Sequence, residues 1–185
     1  AGGQLRIPVE IIDIKDDYLP QVVLNPKHGY GSGMNPCIDC RIFMLKRAKT
    51  MLEEGGYDFI FTGEVLGQRP MSQRRPPMHA IEQDTGLEGL LLRPLSARLL
   101  APTIPEREGW VRRDDLYAIF GRSRHEQMRL ADEFGLVDYP QPAGGCCFLP
   151  DENFARKLRD LLTDRGNEID PDDMMLLKVG RHFRL

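Results

Sequence analysis

The sequence predicts an α/β fold built around a parallel β-sheet. Residues 7–14, 59–62 and 90–92 are short runs of β-branched or other apolar residues, which are typical of strands. Helical patterns lie between them, including one that begins near Pro76-Pro77 and ends at Gly86. Strands that alternate with helices in this way indicate parallel pairing through right-handed crossovers. An amphipathic helix over 153–162, a polar linker and a strand over 174–185 are expected to follow.

Composition limits the classes of protein to which the chain can belong. Its 185 residues suit one ordinary domain, or one domain with an appendage. The sequence has no run of 18 apolar residues, so it predicts no membrane-spanning segment. A net charge of −3 and a pI of 5.8 exclude a broadly basic nucleic-acid binder. Four cysteines that include a CxxC pair indicate a cytoplasmic, reducing environment.

The CxxC pair, Cys37 and Cys40, is predicted to open a long helix. Pro36 suits an early helical position, and Gly55-Gly56 ends the helical pattern. Both thiols would then lie near a helix N-terminus, where the helix dipole lowers the pKa of a thiol and makes it more reactive. The alternative is an ordinary pair of half-buried structural cysteines.

A second candidate site follows the strand over 59–62. The strand runs into a turn marked by Gly63 and Gly67, and a polar, arginine-rich loop comes next. Ligands of parallel α/β sheets bind beyond the carboxyl ends of the strands. Side chains of this loop are therefore suited to contacting phosphate or carbonyl oxygens.

Four segments together give a family resemblance: NPCIDC, TGEVLGQRPMSQRR, RPLSARLLAPTIPE and YPQPAGGC. They resemble the PP-loop ATP pyrophosphatases that thiolate tRNA, of the 4-thiouridine synthetase and 2-thiouridylase type. The resemblance implies a doubly wound parallel sheet of the adenine nucleotide alpha hydrolase type. It covers residues 1–148 as an ATPase-like domain and leaves residues 149–185 as a small helix–strand appendage.

The resemblance implies a two-stage reaction, in which ATP with Mg²⁺ adenylates a tRNA uridine and sulfur then displaces AMP. The expected partners are tRNA, a sulfur donor (a cysteine desulfurase or sulfide) and, as an option, a second copy in a homodimer. The expected nucleotide-binding residues are Gly63, Glu64, Gly67, Gln68, Ser72, Gln73 and Arg74.

The sequence lacks the SGGxDS phosphate loop of these enzymes. The expectation is therefore either a fragment without that loop or a degenerate relative that adenylates nothing. Two other functions stay open: a non-catalytic protein that binds an iron–sulfur cluster or a partner, and an enzyme acting on a small molecule.

Cys146 in the GGC segment is expected to join Cys37 and Cys40 as catalytic residues and metal ligands, within a few ångströms of them. Three interpretations remain: a [4Fe–4S] cluster on three thiolates, a persulfide carrier with a resolving thiol, or structural zinc. Cys147 is expected to turn away into packing.

Overall fold

The computed structural model describes residues 2–139 and 147–183, and these residues are about 49% helix and 3% strand. The chain divides into two compact units, one of Ala1–Cys40 with Gly135–Leu185 and one of Arg41–Phe134. The α-helices are α1 (Gly2–Leu5), α2 (Lys15–Tyr18), α3 (Cys37–Gly55), α4 (Arg75–Thr85), α5 (Ile104–Arg107), α6 (His125–Glu133), α7 (Glu152–Arg165) and α8 (Pro171–Val179). A π-helical turn lies at Leu19–Val23, and 3₁₀ turns lie at Ala97–Leu99 and Arg113–Asp115. The strands are β1 (Ile60–Phe61) and β2 (Leu91–Leu92).

In the first unit, the turn before α3 is fastened to the start of α7 at Gly33. The Gly33 N–H donates to Glu152 Oε1 (3.1 Å), and its carbonyl accepts from Arg159 Nη2 (2.7 Å). Gly33 has φ +62°, and a Cβ there would lie 2.5 Å from the Leu149 carbonyl oxygen, so only glycine fits. The core beneath is apolar and consists of Leu19, Val23, Met34, Leu149, Phe154, Ala155, Leu158 and Leu177.

In the second unit, β1 and β2 pair in parallel, with Ile60 opposite Leu91. Ser96, which is fully buried, joins two segments near this pair. Its hydroxyl accepts from the Leu66 N–H (2.9 Å) and donates to the Ile119 carbonyl (2.7 Å). One side chain therefore satisfies two buried backbone groups that no strand reaches.

Trp110 packs on Phe59 in the same unit. Its indole stacks on the ring of Phe59, with ring centroids 6.4 Å apart, and 52% of the residue stays exposed.

The doubly wound parallel sheet is wrong, because the described residues contain only two short parallel strands. Residues 7–14 have an alternating β-branched pattern but adopt no strand. Ile7, Val9 and Ile11 are 54%, 67% and 91% exposed. A β-branched pattern stabilises a strand only where neighbouring strands pair with it and cover one face. Among the described residues, nothing pairs with this segment.

The strand expected over 174–185 is also wrong over the described part of that range, since Pro171–Val179 is helix α8. Asp170 caps the helix by accepting from the N–H groups of Asp172 and Asp173. Asp173 accepts from the Asp170 N–H in return, which completes a capping box. This local signal outweighs the apolar run that suggested a strand.

None of the helices in residues 2–139 and 147–183 combines the length and the apolar content needed to cross a membrane.

Glu106 provides a test of the second unit by pH. Burial opposes ionisation of this carboxyl, but hydrogen bonds from the Thr103 hydroxyl and N–H, together with Arg113, outweigh burial and lower its pKa below the ordinary 4.5. A lowered pKa stabilises the folded state above pH 4.5, and the effect disappears as the pH falls through the folded pKa. We expect Glu106→Gln to cost about 1–2 kcal/mol near pH 7 and progressively less below pH 4.5.

Urea unfolding of the wild type and the variant at several pH values measures this difference. The control is Glu108→Gln, an exposed neighbour whose replacement is expected to change stability equally little at every pH. A cost of Glu106→Gln that does not vary between pH 7 and pH 3 would contradict the assignment.

Candidate functional site

The thiols of Cys37 and Cys40 lie in the first turn of α3, as the sequence predicts for a CxxC at a helix start. Both are half-buried. Pro36 is fully buried before them and accepts from the Cys40 N–H through its carbonyl (2.8 Å), which begins the helical ladder. Because α3 is 19 residues long, the two thiols lie at the positive, N-terminal end of a long helix dipole.

Asp39, between the two cysteines, holds a loop of the first unit against this turn. Its Oδ1 accepts from the Lys27 N–H (2.9 Å), and its Oδ2 accepts from the His28 N–H (3.0 Å). Asp39 is buried, whereas Lys27 and His28 are exposed. Two charge-assisted hydrogen bonds to one buried carboxylate fix the backbone of both loop residues next to the helix start.

The third predicted thiol, Cys146, lies outside the described residues, so its distance from the CxxC pair stays a prediction. Cys147 is half-buried and packs against the apolar core of the first unit. No set of three His, Cys, Asp or Glu side chains within residues 2–139 and 147–183 is arranged to hold a metal ion. Of the three thiols expected to share a site, Cys37 and Cys40 are the two that lie within the described residues.

The loop after β1 closes on itself through its backbone. Gly67, at φ +79°, donates its N–H to the Gln73 carbonyl (2.6 Å), and Gln73 donates to the Arg69 carbonyl (3.1 Å). This places the predicted nucleotide-binding residues of 63–74 in one compact loop. Gly63 and Arg74 are exposed, and Gln68 is half-buried.

Ser72 and Gln73, by contrast, are 2% and 3% exposed. Because both residues are buried, a bound ligand does not reach their side chains without a rearrangement. Among the residues expected to bind a nucleotide, Gly63 and Arg74 are exposed, and Gly67 and Gln68 are half-buried.

Glu64 is buried in a chain of four charges that links four segments of the second unit. Its Oε2 accepts from Arg93 Nε (3.0 Å) and the Thr62 hydroxyl (3.3 Å), and its Oε1 lies 2.9 Å from Arg41 Nε. Arg93 also donates to Glu82 through Nη1. The side chains of Glu64 and Arg93 are each 3% exposed. Glu64 therefore ties α3, α4 and the ends of β1 and β2 together.

Sequence reasoning missed Asp39, Arg41 and Arg93 as functional or supporting residues. Arg93 had a weak signal, since it directly follows the apolar run at 90–92, and an arginine that is buried beside such a run needs a charged partner. Asp39 and Arg41 carried none, because their partners are distant in the sequence.

Comparison with protein-family models, with curated proteins and with solved structures found no match for this chain. What this site does must therefore be argued from its own residues.

The role of Asp39 can be tested by amide hydrogen exchange. We expect Asp39→Ala to speed exchange at the Lys27 and His28 amides by about tenfold or more, because each loses a charge-assisted hydrogen bond. The Met34 amide, which donates to the Leu149 carbonyl (2.9 Å), is expected to keep its protection.

Glu54→Ala, at the exposed far end of α3, is the matched control for Asp39→Ala. If the Lys27 and His28 amides exchange equally fast in the wild type and in Asp39→Ala, the carboxylate does not hold this loop.

The buried charges predict a large effect on stability. We expect Arg93→Met to lower the free energy of unfolding by about 3–5 kcal/mol, since Glu64 and Glu82 lose their shared partner. The triple variant with Glu64→Gln and Glu82→Gln is expected to be more stable than Arg93→Met alone. Denaturant unfolding followed by circular dichroism measures both.

Arg98→Met, at an exposed position five residues on, is expected to change the free energy of unfolding by about 0.5 kcal/mol or less. Equal effects of Arg93→Met and Arg98→Met would show that the buried network contributes nothing particular.

Proposed function

We propose that this chain takes part in ATP-dependent transfer of sulfur to a tRNA uridine in the cytoplasm, with Cys37 and Cys40 as the sulfur-handling groups. The observation that carries the proposal is the position of both thiols in the first turn of α3, half-buried and with the loop of Lys27 and His28 fixed beside them by Asp39. A helix start stabilises a thiolate, and the thiolate is the form that attacks and carries sulfur.

The first stage activates the uridine. The carbonyl oxygen of the base attacks the α-phosphorus of ATP, so an O–P bond forms while the α–β phosphoanhydride bond breaks and pyrophosphate leaves; the N3 proton of the base passes to solvent. A bound Mg²⁺ would neutralise charge on the leaving pyrophosphate. The loop 63–74 is the segment of this chain that we assign to the nucleotide. Its exposed Gly63 backbone and Arg74 guanidinium supply donors that suit phosphate oxygens.

The second stage moves sulfur. The cysteine thiolate attacks the outer sulfur of a cysteine desulfurase persulfide, and the desulfurase thiol leaves, so that one cysteine of this chain becomes a persulfide. The outer sulfur of that persulfide then attacks the activated carbon of the base. AMP leaves with the former carbonyl oxygen. The second cysteine then attacks the inner sulfur, so that thiouridine is released and a Cys37–Cys40 disulfide remains. A dithiol reductant returns the pair to thiols.

A [4Fe–4S] cluster held by Cys37, Cys40 and Cys146 would instead supply an open iron for sulfide. Cys37 and Cys40 have the CxxC sequence spacing that is common among thiolate ligands of such clusters. An assay that separates persulfide sulfur from acid-labile sulfide distinguishes the two forms of the site.

Sulfur loading tests the proposal. The chain is incubated with a cysteine desulfurase and ³⁵S-labelled cysteine, and the protein-bound label is measured before and after a thiol reductant. We expect the wild type to hold reductant-labile label. Of Cys37→Ser and Cys40→Ser, one is expected to take no label, and the other to take label but fail to pass it to an activated acceptor.

Cys147→Ser is the matched control and is expected to load as the wild type does, because that thiol packs against the core of the first unit. The proposal fails if the wild type takes no label, or if Cys147→Ser loses as much label as the CxxC variants. If the bound label is acid-labile and depends on iron, the site carries sulfur on an iron–sulfur cluster rather than as a persulfide.

A further inference from the structure

A cavity of about 470 Å³ lies within the second unit, and no residue of the loop 63–74 lines it. Its floor is apolar and consists of Met78, Leu91, Leu92 and Ala97, each 2% exposed. Cavities of this size and lining take small organic ligands with a flat or compact apolar part.

The rim of the cavity carries two arginines whose charge is uncompensated. Arg75 donates from Nη2 to the Leu99 carbonyl (2.6 Å), and Arg107 donates from Nη1 to the Pro102 carbonyl (2.7 Å). Neither forms an ion pair with a carboxylate among the described residues. Each carbonyl contact uses one nitrogen of a guanidinium group and holds that group in place. The remaining N–H donors of Arg75 and Arg107 are suited to binding an anion.

The deeper charges around the cavity are already paired. Glu82 is bound by Arg93, and Glu106 is bound by Arg113 and Thr103. The other Nη atom of Arg93, Nη2, is buried with no hydrogen-bond partner in the described part of the chain. A buried donor without an acceptor costs free energy, so an anion close to Arg93 Nη2 would be stabilised by accepting a hydrogen bond from it.

Glu88 is the one exposed carboxylate among the lining residues, and it has no ion-pair partner within residues 2–139 and 147–183. A carboxylate that lines the same cavity as two arginines suits a ligand that carries both an anion and hydroxyl donors. Paired sugar hydroxyls are the usual partners of a single carboxylate in nucleotide sites. His79 lines the same rim, where its ring nitrogens are further polar groups.

We propose that this cavity binds a ribonucleoside monophosphate unit. Arg75 and Arg107 take the phosphate, Glu88 accepts from the ribose hydroxyls, and the base lies on the apolar floor of Met78 and Leu92. The unit is either a free mononucleotide or one nucleotide of a single-stranded RNA. The proposal stands independently of sulfur transfer, since it uses neither the CxxC pair nor the residues of 63–74.

Isothermal titration calorimetry on the full chain tests the assignment with uridine 5′-monophosphate, its 2′-deoxy form, uridine, inorganic phosphate and a short oligouridylate. We expect the wild type to bind the monophosphate at least about tenfold more tightly than uridine or phosphate, because the phosphate and the nucleoside contribute separately.

Arg75→Gln and Arg107→Gln are each expected to weaken binding of the monophosphate by about tenfold, through loss of charge-assisted hydrogen bonds. Arg122→Gln, an exposed arginine away from the cavity, is expected to leave it unchanged. Glu88→Gln is expected to reduce the preference for the ribose form over the 2′-deoxy form without changing phosphate binding. Circular dichroism confirms that each variant is folded.

Oligouridylate that binds more tightly than the mononucleotide identifies RNA as the source of the ligand, and the reverse identifies a free nucleotide. The proposal is overturned if the wild type binds none of the probes. It is also overturned if phosphate alone binds as tightly as the monophosphate, or if Arg122→Gln weakens binding as much as the cavity variants do.

Discussion

The buried chain of charges from Arg41 through Glu64 and Arg93 to Glu82 is the constraint on which the second unit depends. With only two residues in each strand, the parallel pair offers few backbone hydrogen bonds. The ion pairs supply what the sheet lacks, because they join two helices to the ends of both strands. Their cost is desolvation of four charges, which is offset only while every partner is present. The fold of the second unit therefore depends on all four charges being paired, rather than on the size of its sheet.

Local signals in the sequence predicted helices α3, α4 and α7 well, but they predicted helix α8 and the sheet badly. Helix α3 follows from Pro36 and the closing glycines, and α4 follows from Pro76-Pro77 and from Gly86, which adopts φ +63° at the C-terminus. Each of these signals acts within one or two turns of chain. The segment 7–14 has an equally clear local pattern, yet its side chains are exposed. A strand exists only through a neighbour, and the pattern of one segment does not say whether that neighbour is there.

The candidate site shows the same limit. The sequence identified the thiols by a local feature, the CxxC at a helix start, and it identified Glu64 by its place beyond a strand end together with the family resemblance. It did not identify what holds them. Asp39 reaches Lys27 and His28 across more than ten residues, and Arg93 reaches Glu64 across 29. Support of this kind depends on tertiary packing, so residues that position a site are harder to find than residues that form it.

The stack of Trp110 on Phe59 gives the chain an internal optical probe. Trp110 is the single tryptophan of the sequence, and both rings belong to the unit Arg41–Phe134. Excitation of the indole therefore samples that unit alone, whereas far-ultraviolet dichroism sums the helices of both. With half of the indole exposed, its emission maximum and quenching by iodide should respond to events around α5. The two signals can separate melting of one unit from melting of the other without any added label.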